Sequence, residues 1–475
     1  MREGDPNPLI RYLQRPGSAQ AVAAARVQLG LGVSQPTLSR LAHAAGDAVV
    51  RIGKARASRY ALARTLGRAG SRWPVYRIDA AGRPSEIGRL HALARGAWWW
   101  QPADPDAGSP LLHGEFADGL FPDWPWFLDD QRPQGFLGRA FARRVGAALG
   151  APEDLRLWRE EDIALALLQH GHDAPGDLVF GEAALRRVLD ADGGHASVVR
   201  EVDRDAAYPV WADNALHGDP GGSSAAGEQP KFALTLALPD GDRRAVIVKF
   251  SERLGTPASR RWADLLYCEH LAAEVLRSGD VRTAATQVLQ ADGRVFLEST
   301  RFDRTRFGRR GLVSLAAVDA AFYGHGARAW YEYAPQLQQD GWLDAGDVRQ
   351  LAVTGWFGEL IGNSDMHLGN VSLELRDRRP LPLAPVYDML PMRWRPAATG
   401  EVLPAERTPE WRPRLPLPQQ TDDWLAAAEL ALQFWREVMA TDRISEDFRI
   451  IASAAQAALD GAIGRFAGYH VGPAP

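Results

Sequence analysis

The stretch "GNSDMHLGN", residues 362–370, follows the apolar run "WFGELI" and decides how the rest of the chain is interpreted. It places Asn363, Asp365, His367 and Asn370 within eight positions. Burying such polar groups costs free energy unless each of them has a partner. Because the flanking sequence has the pattern of buried helix and sheet, this concentration of polar side chains predicts a functional site.

Length and composition bound the kind of protein. The chain has 475 residues, of which 46% are hydrophobic and 24% charged. This length predicts two to four folded domains at roughly 100–200 residues each. The single cysteine, Cys268, excludes an intrachain disulfide, and neither a signal peptide nor an apolar run of about 18 residues is present. We therefore expect a cytoplasmic protein that does not enter a membrane.

Charge is distributed unevenly along the chain. Residues 1–70 contain eleven Lys and Arg against three Asp and Glu, a net charge of +8 that leaves −12 for the remainder. A small basic module attached to a larger acidic body predicts contact with a polyanion.

The basic module has the pattern of a winged helix-turn-helix. "SAQAVAAARVQLGLGVSQPTLSRLAHAAG", 18–46, contains two short helical patterns, and the basic tip "GKARAS" of the hairpin that follows resembles a wing. We expect Ala21, Val22, Ala25 and Val27 to face inward on the first helix. The second helix of such a unit enters the major groove of double-stranded DNA, and basic wing residues contact phosphates. The predicted DNA contacts are Gln35, Thr37, Ser39, Arg40, Arg51, Lys54, Arg56 and Arg59.

Residues 71–205 carry few chemical signals. "WPVYRI", "GRLHALARGAWWWQP" and "LLHGEF" are expected to supply the strands of a small sheet. The Trp cluster 98–100 is expected in the core or at an interdomain face rather than as a base-stacking platform. His170, His172 and Asp173 are predicted to belong to a loop after a helix, since no further His or Cys lies nearby at a metal-binding spacing.

A second polar concentration lies upstream of the opening stretch. "GDPGGSSAAGEQPKFALTL", 218–236, is a Gly/Ser-rich loop entering a strand, and the next strand ends at Lys249. Small residues allow backbone N–H groups to approach phosphate oxygens, so the loop and Lys249 have the layout that holds ATP in kinases. The helical segment 261–277 then offers Glu269 or Glu274 as a partner for Lys249, and "GRVFLESTRFDR" is predicted to form a strand running into a hinge.

The opening stretch fits the same scheme. Asp365 and Asn370 stand five positions apart, which is the spacing of a kinase catalytic loop. Asp388 follows in "APVYDML", eighteen residues beyond Asn370, where a second magnesium-binding carboxylate is expected. The order of loop, lysine, helix, hinge and these three residues predicts phosphoryl transfer more specifically than any single piece.

Four motifs, "SAAGEQPK", "RFDR", "NSDMHLGN" and "YDML", resemble the HipA family of bacterial toxin serine/threonine kinases, over roughly residues 75–475. The N-terminal helix-turn-helix resembles the YjjJ (HipH)-like branch in particular. The resemblance implies an α+β, protein-kinase-like fold with a small β-rich N-lobe and a helical C-lobe. The implied domains are a winged helix-turn-helix at 1–72, an N-terminal subdomain at 73–205, the kinase N-lobe at 206–305 and the C-lobe at 306–475.

The resemblance also implies roles for individual residues. Asp365 becomes the catalytic base, Asn370 and Asp388 hold Mg²⁺, and Ser224 becomes the autophosphorylated loop serine, with Ser223 beside it as the other candidate. The implied ATP contacts are Ala226, Gly227, Glu228, Gln229, Pro230, Lys231, Lys249, Thr300, Arg301, Phe302, His367, Leu368, Gly369, Asn370, Tyr387 and Asp388.

The sequence departs from the family pattern at the hinge and in its architecture. Thr300 stands where a glutamate often precedes the arginine, and "YDML" contains no DFG triad. The chain also carries its own DNA-binding module, whereas typical members are neutralised by a separate DNA-binding antitoxin.

Three functions are compatible with these patterns. The first is an ATP- and Mg²⁺-dependent serine/threonine protein kinase, and the second is a transcription regulator whose kinase-like domain senses nucleotide without transferring phosphate. A DNA-cleaving toxin ranks third, because it leaves the Gly-rich loop and the paired lysines unexplained. The sequence leaves open the protein target, the DNA site, dimerisation and the existence of an antitoxin partner.

Overall fold

The computed structural model describes residues 7–104, 111–190, 198–217 and 229–470. Its first unit is a small helical domain with a three-stranded sheet of order β1-β3-β2. The elements are α1 (Pro8–Gln14), β1 (Val22–Ala23), α2 (Ala24–Leu31), α3 (Gln35–Ala45), β2 (Val49–Ile52) and β3 (Arg59–Leu62). The helix pair and the basic hairpin predicted from the sequence are therefore present.

One detail of α2, the first helix of the predicted helix-turn-helix, differs from the expectation. Ala25 is exposed, and Ala24 is buried with Val27 in its place. The reason is that Val22 belongs to a short strand paired with Tyr60, so α2 begins only at Ala24 and its inward face is rotated.

The N-terminal unit packs on the domain that follows. The guanidinium of Arg95 donates to the backbone carbonyls of Leu13 and Arg15 at 3.2 and 3.1 Å. Arg59 at the base of the wing forms an ion pair with Asp118. These contacts fix the wing hairpin against the middle of the chain.

The middle domain is built on an antiparallel sheet of order β7-β6-β5-β4-β8. Its elements are β4 (Arg72–Ile78), β5 (Pro84–Ala92), β6 (Trp98–Pro102), β7 (Leu120–Phe121), α4 (Gly135–Leu149), α5 (Glu160–His170), β8 (Leu178–Phe180) and α6 (Glu182–Leu189). Two of the predicted strand regions are confirmed, but "LLHGEF" is not a strand. Gly114 has a φ of +58°, which ends any extended run, and the segment forms a 3-10 turn that buries Phe116.

A second sheet, of order β9-β10-β11-β13-β12, forms the core of the N-lobe. Its elements are β9 (Val198–Arg200), α7 (Arg204–His217), β10 (Lys231–Ala237), β11 (Arg243–Phe250), α8 (Pro257–Ser278), β12 (Thr286–Ala291) and β13 (Arg294–Thr300). Because β9 pairs with β10, this sheet takes a strand from before residue 206. Alternation along β11 turns Val248 and Phe250 into an apolar cluster that includes Tyr208 of α7, and leaves Lys249 for the opposite face.

The C-lobe is mainly helical. Its elements are β14 (Val313–Ser314), α9 (Leu315–Phe322), α10 (Trp330–Gln339), α11 (Ala345–Leu360), β15 (Ser372–Leu373), α12 (Thr421–Ala440) and α13 (Glu446–His470). Trp356, Trp424 and Trp435 are fully buried where α11, α12 and the rest of the lobe meet. Among the residues that the structure describes, no helix combines the length and the apolar character needed to cross a membrane.

The side chains of the Trp cluster 98–100 lie on both faces of β6. Trp98 and Trp100 are buried to 0% and 1% exposure, and the Trp98 ring lies edge-on to Trp124 with centroids 4.8 Å apart. Trp99 points to the other face of β6, where its indole N–H donates to the backbone carbonyl of Asp118 at 3.3 Å. Trp98 and Trp100 therefore lie in the core, and Trp99 packs against the cluster that contains Ile52 and Ala61 of the N-terminal unit, in agreement with the predicted core or interdomain placement.

We expect Trp98→Ala to destabilise the fold by roughly 3–5 kcal/mol, because it leaves a large cavity in a packed sheet face. Trp99→Ala, the matched control on the same strand, should cost clearly less since that ring is only half-buried. Urea unfolding followed by circular dichroism measures both. Equal midpoints for the two variants would contradict the assignment of faces.

Candidate active site

A buried lysine lies at the centre of the candidate site. Lys249, near the end of β11, is 6% exposed and donates from Nζ to both carboxylate oxygens of Glu269 at 2.6 and 2.7 Å. The same Nζ contacts Asp388 Oδ1 at 2.6 Å. Burial alone would lower the pKa of Lys249, but the two carboxylates outweigh it and raise the pKa above its usual range. Lys249 is therefore a fixed cation.

The structure selects Glu269 over Glu274 as the partner. Glu269 lies on the face of α8 that buries Leu265, Ala272 and Leu276, whereas Glu274 pairs with Arg277 near the surface. Residues three, four and seven positions apart share a helix face, so the apolar neighbours of Glu269 already mark it as the inward glutamate. This helix periodicity is the signal in the sequence that distinguishes Glu269 from Glu274.

Asp388 brings a carboxylate from the C-lobe to this lysine. Its φ of +55° is unusual for a non-glycine residue and is held by the surrounding contacts. Burial favours the protonated acid, but Lys249 and Lys231 outweigh it and hold the pKa of Asp388 at about 2. Lys231 is the register partner of Lys249 on β10, so both lysines face the same carboxylate.

The opening stretch forms a tight loop after α11. Gly362 starts it with a φ of +72°, and a Cβ there would lie 2.6 Å from the Trp394 ring, so only glycine fits. Asn363 is 6% exposed, and its Oδ1 accepts the Asp365 backbone N–H at 3.0 Å. Its Nδ2 donates to the Asp388 carbonyl at 3.4 Å. Asn363, whose role the sequence did not reveal, therefore ties the Asp365 loop to the Asp388 segment.

The other residues of the 362–370 loop either hold its backbone or leave their side chains open to solvent. Asn370 donates from Nδ2 to the Asp365 carbonyl at 2.9 Å, and His367 Nδ1 accepts the Gly369 N–H at 3.1 Å. Leu368 is buried, and the Gly369 carbonyl accepts the Tyr387 hydroxyl at 2.9 Å. The Asp365 side chain stays half-exposed at the mouth of the site, 3.9 Å from His367 Nε2. Its carboxylate is accessible to a substrate.

The predicted hinge follows β13. The backbone N–H groups of Thr300 and Arg301 donate to the carbonyls of Ala285 and Ala245, at 2.8 and 2.9 Å. The Arg301 side chain forms ion pairs with Asp173 and Asp303. The third predicted hinge contact, Phe302, packs its ring against Tyr387, with the centroids 5.6 Å apart.

Part of the predicted phosphate loop lies outside the described residues. This applies to Ser223, Ser224, Ala226, Gly227 and Glu228. The described continuation, Gln229 to Lys231, leads into β10, and the Pro230 carbonyl accepts the Phe250 N–H at 3.1 Å. The end of the loop is therefore fixed directly beside the strand that carries Lys249.

The donor set of the site fits magnesium bound together with a nucleotide. Within the described part of the chain, no group of three or more His, Cys, Asp or Glu side chains could hold a metal alone. Magnesium at a nucleotide needs only one or two protein oxygens, because phosphates and water supply the rest. Asp388 Oδ2 and Asn370 Oδ1 accept no hydrogen bond from any described residue, whereas Asp388 Oδ1 is taken by Lys249.

The predicted DNA contacts fall into two groups. The first group is exposed on α3 and the wing, with the side chains open to solvent, and consists of Gln35, Ser39, Arg40, Arg51, Lys54 and Arg56. Thr37 is half-buried and bonds Ser34 Oγ at 3.1 Å. Arg59 is half-buried, and its guanidinium forms an ion pair with Asp118 of the middle domain. Four members of the exposed group, Arg40, Arg51, Lys54 and Arg56, are basic.

Comparisons with known proteins agree with this architecture. Residues 69–189 match the family model for the middle domain of YjjJ-like toxins, and residues 223–458 match that for the HipA-like C-terminal domain. A chain in the solved complex of the Shewanella oneidensis MR-1 toxin–antitoxin system HipA, HipB and its operator DNA superposes with a TM-score of 0.53 at 16% identity. The match covers 82% of this chain and 97% of that one, and shows a shared fold.

The curated relative extends this match along most of the sequence. Toxin YjjJ of Escherichia coli (strain K12) is 40% identical over 427 residues, which cover 89% of this chain and 91% of that protein. The expected resemblance and the α+β fold are confirmed by these matches. The chain belongs to the YjjJ-like branch of the HipA toxin family.

Proposed function

We propose that this chain is an ATP- and Mg²⁺-dependent serine/threonine protein kinase of HipA type. The observation that carries the proposal is the Lys249–Glu269–Asp388 cluster, which lies beside a loop that leaves the Asp365 carboxylate open. Phosphoryl transfer depends on positioning and on neutralising charge, and these residues supply both.

The N-lobe and Asp388 bind the nucleotide and orient its phosphates. Lys249, held by Glu269, supplies a fixed positive charge to the nucleotide phosphates. Asn370 and Asp388 would hold the magnesium ion, which would neutralise phosphate charge. Asp388 is suited to this because its low pKa keeps it ionised throughout the physiological pH range.

Asp365 handles the proton. Its carboxylate accepts the proton of the substrate serine or threonine hydroxyl while the hydroxyl oxygen bonds to the γ-phosphorus. The bond from that phosphorus to the bridging oxygen breaks, and ADP leaves with the electron pair. Asn363 accepts the Asp365 N–H and Asn370 donates to the Asp365 carbonyl, so the backbone of the base is held in place. The Asp365 side chain remains half-exposed.

The N-terminal unit is proposed to bind double-stranded DNA. In support, α3 and the wing tip present exposed polar and basic side chains on a unit of net charge +8 over residues 1–70. Phosphate contacts of this kind are independent of sequence and sensitive to salt. The related complex contains HipB and operator DNA, so an antitoxin is a further proposed partner of this chain.

We expect Asp365→Ala and Asp388→Ala each to lower the rate of phosphate transfer from labelled ATP by roughly 100-fold or more. Asp442→Ala is the matched control, since Asp442 is an exposed aspartate in the turn between α12 and α13. All three variants should keep the wild-type circular dichroism spectrum and DNA affinity. Full transfer by either active-site variant would contradict the proposal, and ATP binding without transfer in the wild type would favour the sensing regulator.

Autophosphorylation is expected on Ser224. Purified protein incubated with ATP and Mg²⁺ should carry one phosphate there by mass spectrometry, and the Asp365→Ala variant should carry none. Phosphate on Ser223 alone, or on neither serine, would remove self-modification at Ser224 from the proposal.

Two wing arginines should respond differently in DNA binding. Arg56→Ala should weaken DNA binding and reduce the slope of log K against log salt by about one, because it removes one phosphate contact. Arg59→Ala should leave that slope unchanged, since its guanidinium is engaged by Asp118. Fluorescence anisotropy with labelled duplex DNA across a salt series measures both, and identical slopes for wild type and Arg56→Ala would refute the wing contact.

A further inference from the structure

A dense group of ion pairs joins the hinge to the middle domain. Arg301 and Arg304, both from the "RFDR" segment, contact Asp173 Oδ1 at 2.7 and 3.2 Å. Asp173 belongs to the short turn that follows α5 of the middle domain. The two contacts therefore join residues that are 128 and 131 positions apart in the sequence.

Backbone contacts strengthen the same junction. Arg304 donates to the carbonyls of Ala174 and Gly176 at 2.8 and 3.1 Å. In return, the Gly176 N–H donates to Asp303 Oδ2 at 3.0 Å. Asp303 also accepts from Arg301 and Arg304, so the segment 173–176 and the segment 301–304 are joined in both directions.

Successive side chains of the hinge point in opposite directions, towards the middle domain and towards the candidate site. Arg301 and Asp303 face the middle domain, and the residue between them, Phe302, packs its ring 5.6 Å from that of Tyr387. Tyr387 immediately precedes Asp388 and bonds the Gly369 carbonyl of the catalytic loop. The ion pairs outside the site thus set the position of an aromatic wall inside it.

We propose that Asp173 is a positioning residue for nucleotide binding, acting from the middle domain through Arg301, Arg304 and the hinge. The inference rests on the proposed kinase function. Asp173 makes no contact with the catalytic residues themselves. It fixes the register of the hinge, and with it the placement of Phe302 against Tyr387.

Asp173 is a better point of test than Asp303. The Asp303 side chain is 7% exposed and receives several donors, so its removal would disturb folding. The Asp173 side chain is 62% exposed, and its carboxylate holds the two arginines from the outer side. An exposed clamp can be weakened while the fold persists.

The experiment compares Asp173→Asn and Asp173→Glu with Asp154→Asn in the full chain. Asp154 is also a middle-domain aspartate, and its ion pair with Arg156 lies within one turn. Calorimetry with ADP and Mg²⁺ gives Kd, and transfer assays give KM for ATP and kcat. We expect Asp173→Asn to raise Kd and KM about tenfold with kcat within about twofold, as the loss of one charge-assisted contact predicts. Asp173→Glu should recover much of the affinity, and Asp154→Asn should match the wild type.

Each other outcome identifies a specific failure. Wild-type affinity in Asp173→Asn, or an equal loss in Asp154→Asn, overturns the positioning role and leaves the kinase proposal standing. A parallel loss of kcat, affinity and melting temperature in Asp173→Asn, without recovery in Asp173→Glu, reduces Asp173 to a structural residue. A wild-type protein that binds no ADP overturns both proposals at once.

Discussion

The site depends on one buried cation shared by two carboxylates. Lys249 comes from a strand, Glu269 from a helix and Asp388 from a C-lobe segment, and all three meet within hydrogen-bond distance. A buried charge that loses its partner typically costs 3–5 kcal/mol, so each of the three elements is held to the position that keeps the cluster complete. The closure of the two lobes, the inward face of α8 and the positive φ of Asp388 are consistent with this single constraint.

The middle domain connects the two ends of the molecule. On one side it receives the wing hairpin through Arg59, which pairs with Asp118, and on the other it holds the hinge through Asp173. Its sheet packs around Trp98 and Trp100, which are both buried.

The sequence was informative where chemistry is local. Spacing predicted one site for Asp365, Asn370 and Asp388, and the strand pattern predicted a lysine at the end of a strand. In the structure Lys249 lies near the end of β11 and contacts Asp388, and Asn370 donates to the Asp365 carbonyl. It was wrong about "LLHGEF", where a positive φ at Gly114 breaks the strand pattern. It also did not choose between Glu269 and Glu274, although helix periodicity distinguishes them.

Long-range pairs could not be predicted in this way. Nothing in the neighbourhood of Asp173 or of Arg301 indicates that they meet, because the pairing depends on how two domains pack. The same holds for the ion pair between Arg59 and Asp118, which lie 59 positions apart in the sequence. Isolated charges in a sequence resemble solvated surface groups, and only the assembled fold shows which of them are paired.

The polar stretch at 362–370 shows why a cluster of this kind is stable. Asn363 and Asn370 use their amide groups on the loop backbone and on the Asp388 carbonyl, so the cost of burying them is met by internal hydrogen bonds. Asp365 is the member whose carboxylate is left open. An amide can both donate and accept, which suits it to hold a turn, whereas an ionised carboxylate only accepts. The division between asparagine and aspartate in this loop therefore follows from the hydrogen-bonding capacity of each side chain: the amides shape the loop, and the Asp365 carboxylate stays open to solvent.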